Sequence, residues 1–340
     1  MPTLLETFKR TAKGAVAAAA VVAAIALAPS AQAQDRSGWP SSIKLGTASQ
    51  GGTYFVYGAG WAGLVQEMLG VPATTEVTGG PVANMALIHK GDLDFGMVTM
   101  GPAYDGWIGK LDLAPGVELK NVRALFPMYP TPFQVIAMKG SGITSVSELS
   151  GKRVNLGPRT GTAATYWSKF FDTLGVKANV QYGGAADAAG QLQDNLIDAF
   201  AFAAGIPISA FSQVEAQNPA NIFGFTDAEM EKLLAEYPSV TRFTIPEGTY
   251  RSAQGPIQTV SMANFAVASK DMPESFVYEV MKVVLDNPER MQQVHAAAKD
   301  TKAENWDQNG FLWFHPGAVK YYREKGIEIP ENLLPPEMKK

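Results

Sequence analysis

The chain has 340 residues, 46% hydrophobic and 18% charged, with a formal net charge of −4 and no cysteine. Such a length can bury a large core and leads us to expect two lobes. Mild acidity argues against nucleic acid, whose binders need a basic footprint. The lack of cysteine excludes thiol catalysis, disulfides and a lipid-modified cysteine.

Residues 1–33 read as a cleavable export signal. Lys9, Arg10 and Lys13 form a basic start, and Ala15 to Ala28 is an apolar run shorter than the ~20 residues a membrane-spanning helix needs. Ala31-Gln32-Ala33 supplies the small-x-small cleavage site. Lys9-Arg10 is not a twin arginine, so export of the unfolded chain is expected. The mature protein would begin at Gln34 and diffuse through the periplasm as a monomer.

The next elements alternate. Ile43 to Thr47 reads as a strand, Thr53 to Leu69 as an amphipathic helix, Thr74 to Thr78 as a strand and Val82 to His89 as a helix. Leu93 to Thr99 and Phe133 to Lys139 read as further strands. The pattern then restarts. A strand at Arg153 to Gly157 leads through Pro158 to Gly161 into a helix at Thr162 to Leu174, followed by Asn179 to Tyr182 (strand), Ala185 to Asp194 (helix) and Ile197 to Ala203 (strand). "ALIHKGDLDFGMVTMG" (86–101) and "GQLQDNLIDAFAFAAG" (190–205) resemble each other as helix end, polar turn, Asp and buried strand. Repeated β-loop-α units give an α/β class: two doubly wound lobes joined by hinge strands. Ile257 to Lys270 reads as one strand returning the chain to the first lobe, and Pro273 to Asp286 as a helix. The expected division is 43–136 plus 258–330 for one lobe and 137–257 for the other. The aromatic group from Trp306 to Tyr322 reads as packing, and the Pro-rich tail, 331–340, as loose.

"GTASQGGTYFVYGAGWAG" (46–63) carries two competing motifs. Gly58, Gly60 and Gly63 fit the dinucleotide fingerprint G-x-G-x-x-G. That reading discards the better strand at Ile43 to Thr47 and demands a soluble cofactor in an exported chain. The alternative starts the helix at Thr53, so the glycines only let that helix pack closely on its sheet. The first turn of a helix leaves N–H groups unpaired and carries partial positive charge, and glycines admit a ligand to the backbone. Three such loops occur: Ser49 to Thr53, Thr78 to Pro81, and Arg159 to Thr162. In doubly wound sheets these loops lie at the carboxyl ends of strands, where ligands bind. The candidate ligand residues are therefore Thr47, Gln50, Gly52, Thr53, Tyr54, Thr78 and Asn84 from the first lobe. Arg159, Thr160, Gly161, Thr162 and Gly205 are the candidates from the second. Arg159 is the expected charge partner, since a guanidinium suits bidentate carboxylate recognition.

Together, GTASQGGTYFVYG, TGGPVANMALIHKGDLDFGMV, SELSGKRVNLGPRTGT, TIPEGTY and FHPGAVKYYREKGIEIP resemble the TAXI family, the extracytoplasmic solute receptors of TRAP transporters. The resemblance implies a type II periplasmic-binding fold. It also implies an acidic ligand such as glutamate, 2-oxoglutarate or a related carboxylate, and delivery to TRAP membrane permease subunits. Pro81 stands where the family usually has Ser, and Ala83 where it has Glu. A sensory receptor feeding a histidine kinase would use the same cleft. An exported enzyme is disfavoured: of His89, His295 and His315, neither His89 nor His315 has a partner at metal spacing, no nucleophile motif occurs, and Asp92/Asp94 and Asp194/Asp198 read as turn and strand-start acids. No cofactor, metal or nucleic acid is expected.

Overall fold

A computed structural model describes residues 36–339. The signal expected at 1–33 lies outside the described residues. From Gly38 onward the described chain forms one compact unit containing two α/β lobes, each built on its own sheet.

The first sheet holds β1 (Ile43–Gly46), β2 (Ala73–Glu76), β3 (Phe95–Thr99), β4 (Val122–Pro127) and β12 (Asn264–Ser269), in the order β2-β1-β3-β12-β4. β2, β1 and β3 run parallel, and β12 runs antiparallel to β3 and β4. The second sheet holds β5 (Thr131–Met138), β6 (Arg153–Asn155), β7 (Asn179–Gln181), β8 (Ala199–Ala203), β10 (Thr241–Ile245) and β11 (Ile257–Met262), in the order β10-β11-β5-β8-β6-β7. β9 (Ala220–Phe223) also pairs with β5.

Helices join the strands. In the first lobe these are α1 (Thr53–Leu69), α2 (Pro81–Lys90) and α3 (Met100–Trp107). In the second they are α4 (Thr162–Leu174), α5 (Ala185–Gln193), α6 (Ser209–Gln217) and α7 (Asp227–Glu236). The chain returns to the first lobe with α8 (Glu274–Leu285), α9 (Pro288–Val294) and α10 (Pro316–Glu324). α7 starts on a capping box of Thr226 and Glu229, a signal the sequence carried and the reading above passed over.

Gly58 and Gly60 lie inside α1. A Cβ on Gly58 would come 2.6 Å from a Thr47 methyl, and one on Gly60 would come 2.4 Å from Val294. These glycines seat the helix on its sheet and on α9, so no strand-turn-helix fingerprint exists there.

The stretch from Ile257 to Lys270 is two strands. β11 belongs to the second sheet and β12 to the first, and the chain changes sheet at Ala263. It changes sheet again between β4 and β5, at residues 128–130. Phe133, Val135 and Ile136 pack in the second core, together with Val260 and Met262. The tail is packed, contrary to expectation. Leu333 is buried, its carbonyl accepts from the Phe314 N–H at 2.9 Å, and Glu337 pairs with the buried Arg123 at 2.8 Å. Against a desolvation that would raise it, the guanidinium holds the Glu337 carboxyl below the usual range.

Candidate functional site

Four helices begin around one small pocket between the lobes. α1, α2 and α4 each follow a glycine N-cap (Gly52, Gly80, Gly161), and α3 follows Thr99; none of the four has a side-chain cap. Gly52, Gly80, Thr99 and Gly161 all line the pocket, as do Thr53, Tyr54 and Thr162. The first-turn N–H groups of these helices have no intrahelical acceptor, and the dipoles concentrate positive potential there.

A neutral hydrogen-bond network forms one side of the pocket. The Tyr54 phenol donates to Asn264 Oδ1 at 2.7 Å, and the Thr99 hydroxyl donates to the same oxygen at 2.8 Å. With both protons spent, the Thr162 hydroxyl is the donor in its 2.7 Å contact with Thr99. Asn264 Nδ2 donates to the Tyr129 carbonyl and to the Thr131 hydroxyl oxygen, which fixes the amide orientation. Burial pushes the Tyr54 phenol well above its ordinary pKa, against the Thr99 hydrogen bond, so it stays a donor. Pro81, Pro158, Phe202, Ala203 and Ala204 make up the apolar part of the lining. No charged side chain stands among the described residues that line the pocket.

The lobes are joined around this pocket by reciprocal helix capping. From the first lobe, Ser49 Oγ accepts from the Ala185 N–H at 3.2 Å, and the Gln50 carbonyl accepts from Ala186 at 3.0 Å, capping α5. The Gly51 carbonyl accepts from Ala210 at 3.0 Å, capping α6. From the second lobe, the Thr160 carbonyl accepts from the Val82 N–H at 3.2 Å, capping α2. The Thr53 hydroxyl crosses to the Gly205 carbonyl, and His295 Nε2 lies 3.2 Å from the Pro207 carbonyl. Gly51 has φ +86 and a Cβ there would come 2.8 Å from Ala186 N, so the contact needs glycine twice over.

The expected residues therefore divide. Gly52, Thr53, Tyr54, Gly161 and Thr162 line the pocket. Thr47, Thr78 and Asn84 stitch the first lobe instead. Thr47 donates to the Glu76 carbonyl at 2.8 Å, Thr78 bridges to Thr47 and Asn84, and the fully buried Asn84 amide ties β1 to β3 through Thr47 and Met97 carbonyls. Gln50 is exposed and contributes its carbonyl alone. Thr160 and Gly205 hold the lobes together through backbone oxygens. Arg159 is exposed, its guanidinium stacks 4.2 Å from the Tyr182 ring, and it is not among the residues that line the pocket. The sequence reading missed Thr99, Thr131 and Asn264. Thr99 closes a strand at its carboxyl end, a position the ligand rule already singles out. Asn264 was a lone amide in an apolar run, where a buried polar side chain demands partners.

Each of the three histidines has Nδ1 within hydrogen-bond reach of a backbone N–H: His89 with Asn121, His295 with Ala297, His315 with Gly317. Asp94 Oδ2 accepts from the Lys44 N–H and Asp198 Oδ2 from the Arg153 N–H, each at 2.8 Å, so both acids pin strand starts. Among the described residues no group of three or more His, Asp or Glu is placed to hold a metal, and no helix is long and apolar enough to cross a membrane.

Residues 45–326 match the NMT1-like family. Among solved structures, MatC from Rhodopseudomonas palustris with bound malate aligns with a TM-score of 0.55 at 12% identity, covering 84% of this chain and 96% of that one. A structure described as a periplasmic transporter aligns with a TM-score of 0.53 at 15% identity, covering 84% and 98%. At these identities the likeness is one of fold, the type II periplasmic-binding architecture of solute receptors. The chain belongs to the NMT1-like family.

Proposed function

We propose that this protein is a periplasmic solute receptor of the TAXI type. It takes a small acidic solute into the pocket between its lobes, closes over it as a monomer and delivers it to TRAP membrane subunits. The observation that carries this reading is the small neutral pocket where four helix N-termini meet. Dipoles and hydroxyls arranged in this way favour an anion without supplying a counter-charge. The reciprocal caps support hinge closure: they join the lobes only when the loops at 49–51 and 160 reach the opposite helices. The two sheet crossings, at 128–130 and at Ala263, are the segments that would bend. The histidine and aspartate contacts above are those of structural groups, which supports binding over catalysis.

Small-angle scattering on the mature chain, with and without saturating carboxylates, tests closure. The radius of gyration should fall on binding, and identical curves at proven saturation would count against a hinge. Uptake by vesicles holding TRAP membrane subunits, dependent on added receptor, tests delivery. Uptake that proceeds equally without it would remove the transport role.

A further inference from the structure

We infer that the solute is a short monocarboxylate without an amino group, held by its carboxylate at the hydroxyls with its carbon body against the apolar lining. This rests on the receptor reading above and narrows it. A second carboxylate would need a cation or a further set of side-chain donors, and the lining holds no cation, while Pro81, Pro158, Phe202, Ala203 and Ala204 offer no side-chain donor. The nearest expected cation, Arg159, is turned onto Tyr182. An ammonium group fares no better: no acidic side chain lines the pocket, and the converging helix N-termini repel positive charge. Glutamate fails on both counts.

Beside the helix N-termini, two side-chain donors remain free for a ligand. The Thr131 hydroxyl oxygen accepts from Asn264, and Ser49 Oγ accepts from Ala185, so each hydroxyl keeps its own proton for a ligand. Both residues line the pocket. Thr53 and Tyr54 have already spent theirs within the protein. Size agrees with charge. With the caps made, the pocket holds about 40 Å³, room for on the order of three waters at ~10–15 Å³ each.

Calorimetry on the mature chain compares pyruvate, 2-oxobutyrate and butyrate with succinate, 2-oxoglutarate and L-glutamate. The first set should bind, and the second should be weaker by about a hundredfold or more because its extra charge is buried unpaired. Tighter binding of the second set overturns the inference and leaves the receptor reading standing. No heat from either set, with closure on a neutral solute in scattering, overturns the inference and the acidic-solute reading together. Ala48→Arg, on a half-buried loop residue of the lining, should raise succinate affinity about tenfold or more by adding the missing cation. If that variant fails to fold, the wild-type comparison still decides.

Discussion

In the first lobe the chain turns from β1 into α1 over Gly52-Thr53, and in the second it turns from β6 into α4 over Gly161-Thr162. The two N-cap glycines share backbone angles, φ −93 and ψ 160 against φ −87 and ψ 159. Each following threonine sends its hydroxyl across to the other lobe, Thr53 to Gly205 and Thr162 to Thr99. The next turns match as well: Gly79-Gly80 precedes α2 and Gly183-Gly184 precedes α5, and each helix is capped by the opposite lobe. What differs is the lining. The first lobe brings Ser49, Thr53, Tyr54 and Thr99, with Asn264 of β12 hydrogen-bonded behind the last two, while the second brings Thr131, Thr162, Phe202, Ala203 and Ala204. Both lobes thus contribute hydroxyls, and the second adds the bulk of the apolar lining. The backbone frame is common to both.

The largest way to break this pairing is at Gly79. A Cβ there would come 1.9 Å from Thr160 Oγ1, whereas one on its counterpart Gly183 would come 3.3 Å from Asn155 in its own lobe. Gly79→Ala should prop the lobes apart at a cost of about 1–3 kcal/mol, seen as a larger radius of gyration and lost affinity, with Gly183→Ala near wild type. Adding Thr160→Ala should restore closure. If the double variant stays open, the clash is elsewhere.

Thr53→Val and Thr162→Val compare the crossing hydroxyls directly. Each should weaken ligand binding by about 1–3 kcal/mol, since a buried partner loses its hydrogen bond, while thermal melts stay cooperative. Unchanged affinity in both would show that these loops do not hold the solute.

A smaller difference lies in the strand-start acids. Asp94 accepts from a backbone N–H, but Asp198 also receives the Arg153 guanidinium at 2.7 Å. The hydrogen bond to Arg153 outweighs desolvation and holds the Asp198 carboxyl below its usual value. A depressed folded pKa means that this stabilisation is present above the ordinary Asp value of ~4 and is lost as pH falls through the folded value. Asp198→Asn should therefore lower the melting temperature at neutral pH and flatten its decline in acid. A parallel decline in both proteins would assign the acid sensitivity to other groups.

The smallest effect belongs to Arg159→Ala. Its exposed guanidinium touches Tyr182 only at an exposed cation–π distance, so stability should move by about 0.5 kcal/mol or less and ligand affinity by less than about twofold. A tenfold loss would return it to the site.

The alternation of strand, glycine loop and helix was legible because each step has its own local chemistry. Gly52-Thr53 and Gly161-Thr162 were readable for that reason. That Arg159 lies on Tyr182 was not legible, because sequence gives the charge of a side chain but not its direction. Asn264 was hidden inside a run that reads as a single strand, and only the change of sheet at Ala263 turns it toward the pocket. Thr47 and Thr78 sit just past strand ends and Asn84 in the first turn of α2, yet their hydrogen-bonding capacity is spent within their own lobe. Which polar groups are left over for a ligand depends on the full network, and that is a tertiary property.

The oxygens of Gln50, Gly51 and Thr160 that reach the opposite helices belong to the main chain. Any residue type offers the same carbonyl, and the receiving positions Val82, Ala186 and Ala210 need only avoid proline. This main-chain part of the clamp is therefore nearly indifferent to side-chain identity, provided Gly51 and Gly79 stay glycine. Mutational freedom is thereby pushed onto the walls of the pocket. A lineage of such chains can change what it carries by altering Phe202, Ala203 or Tyr54 while the act of closing stays the same.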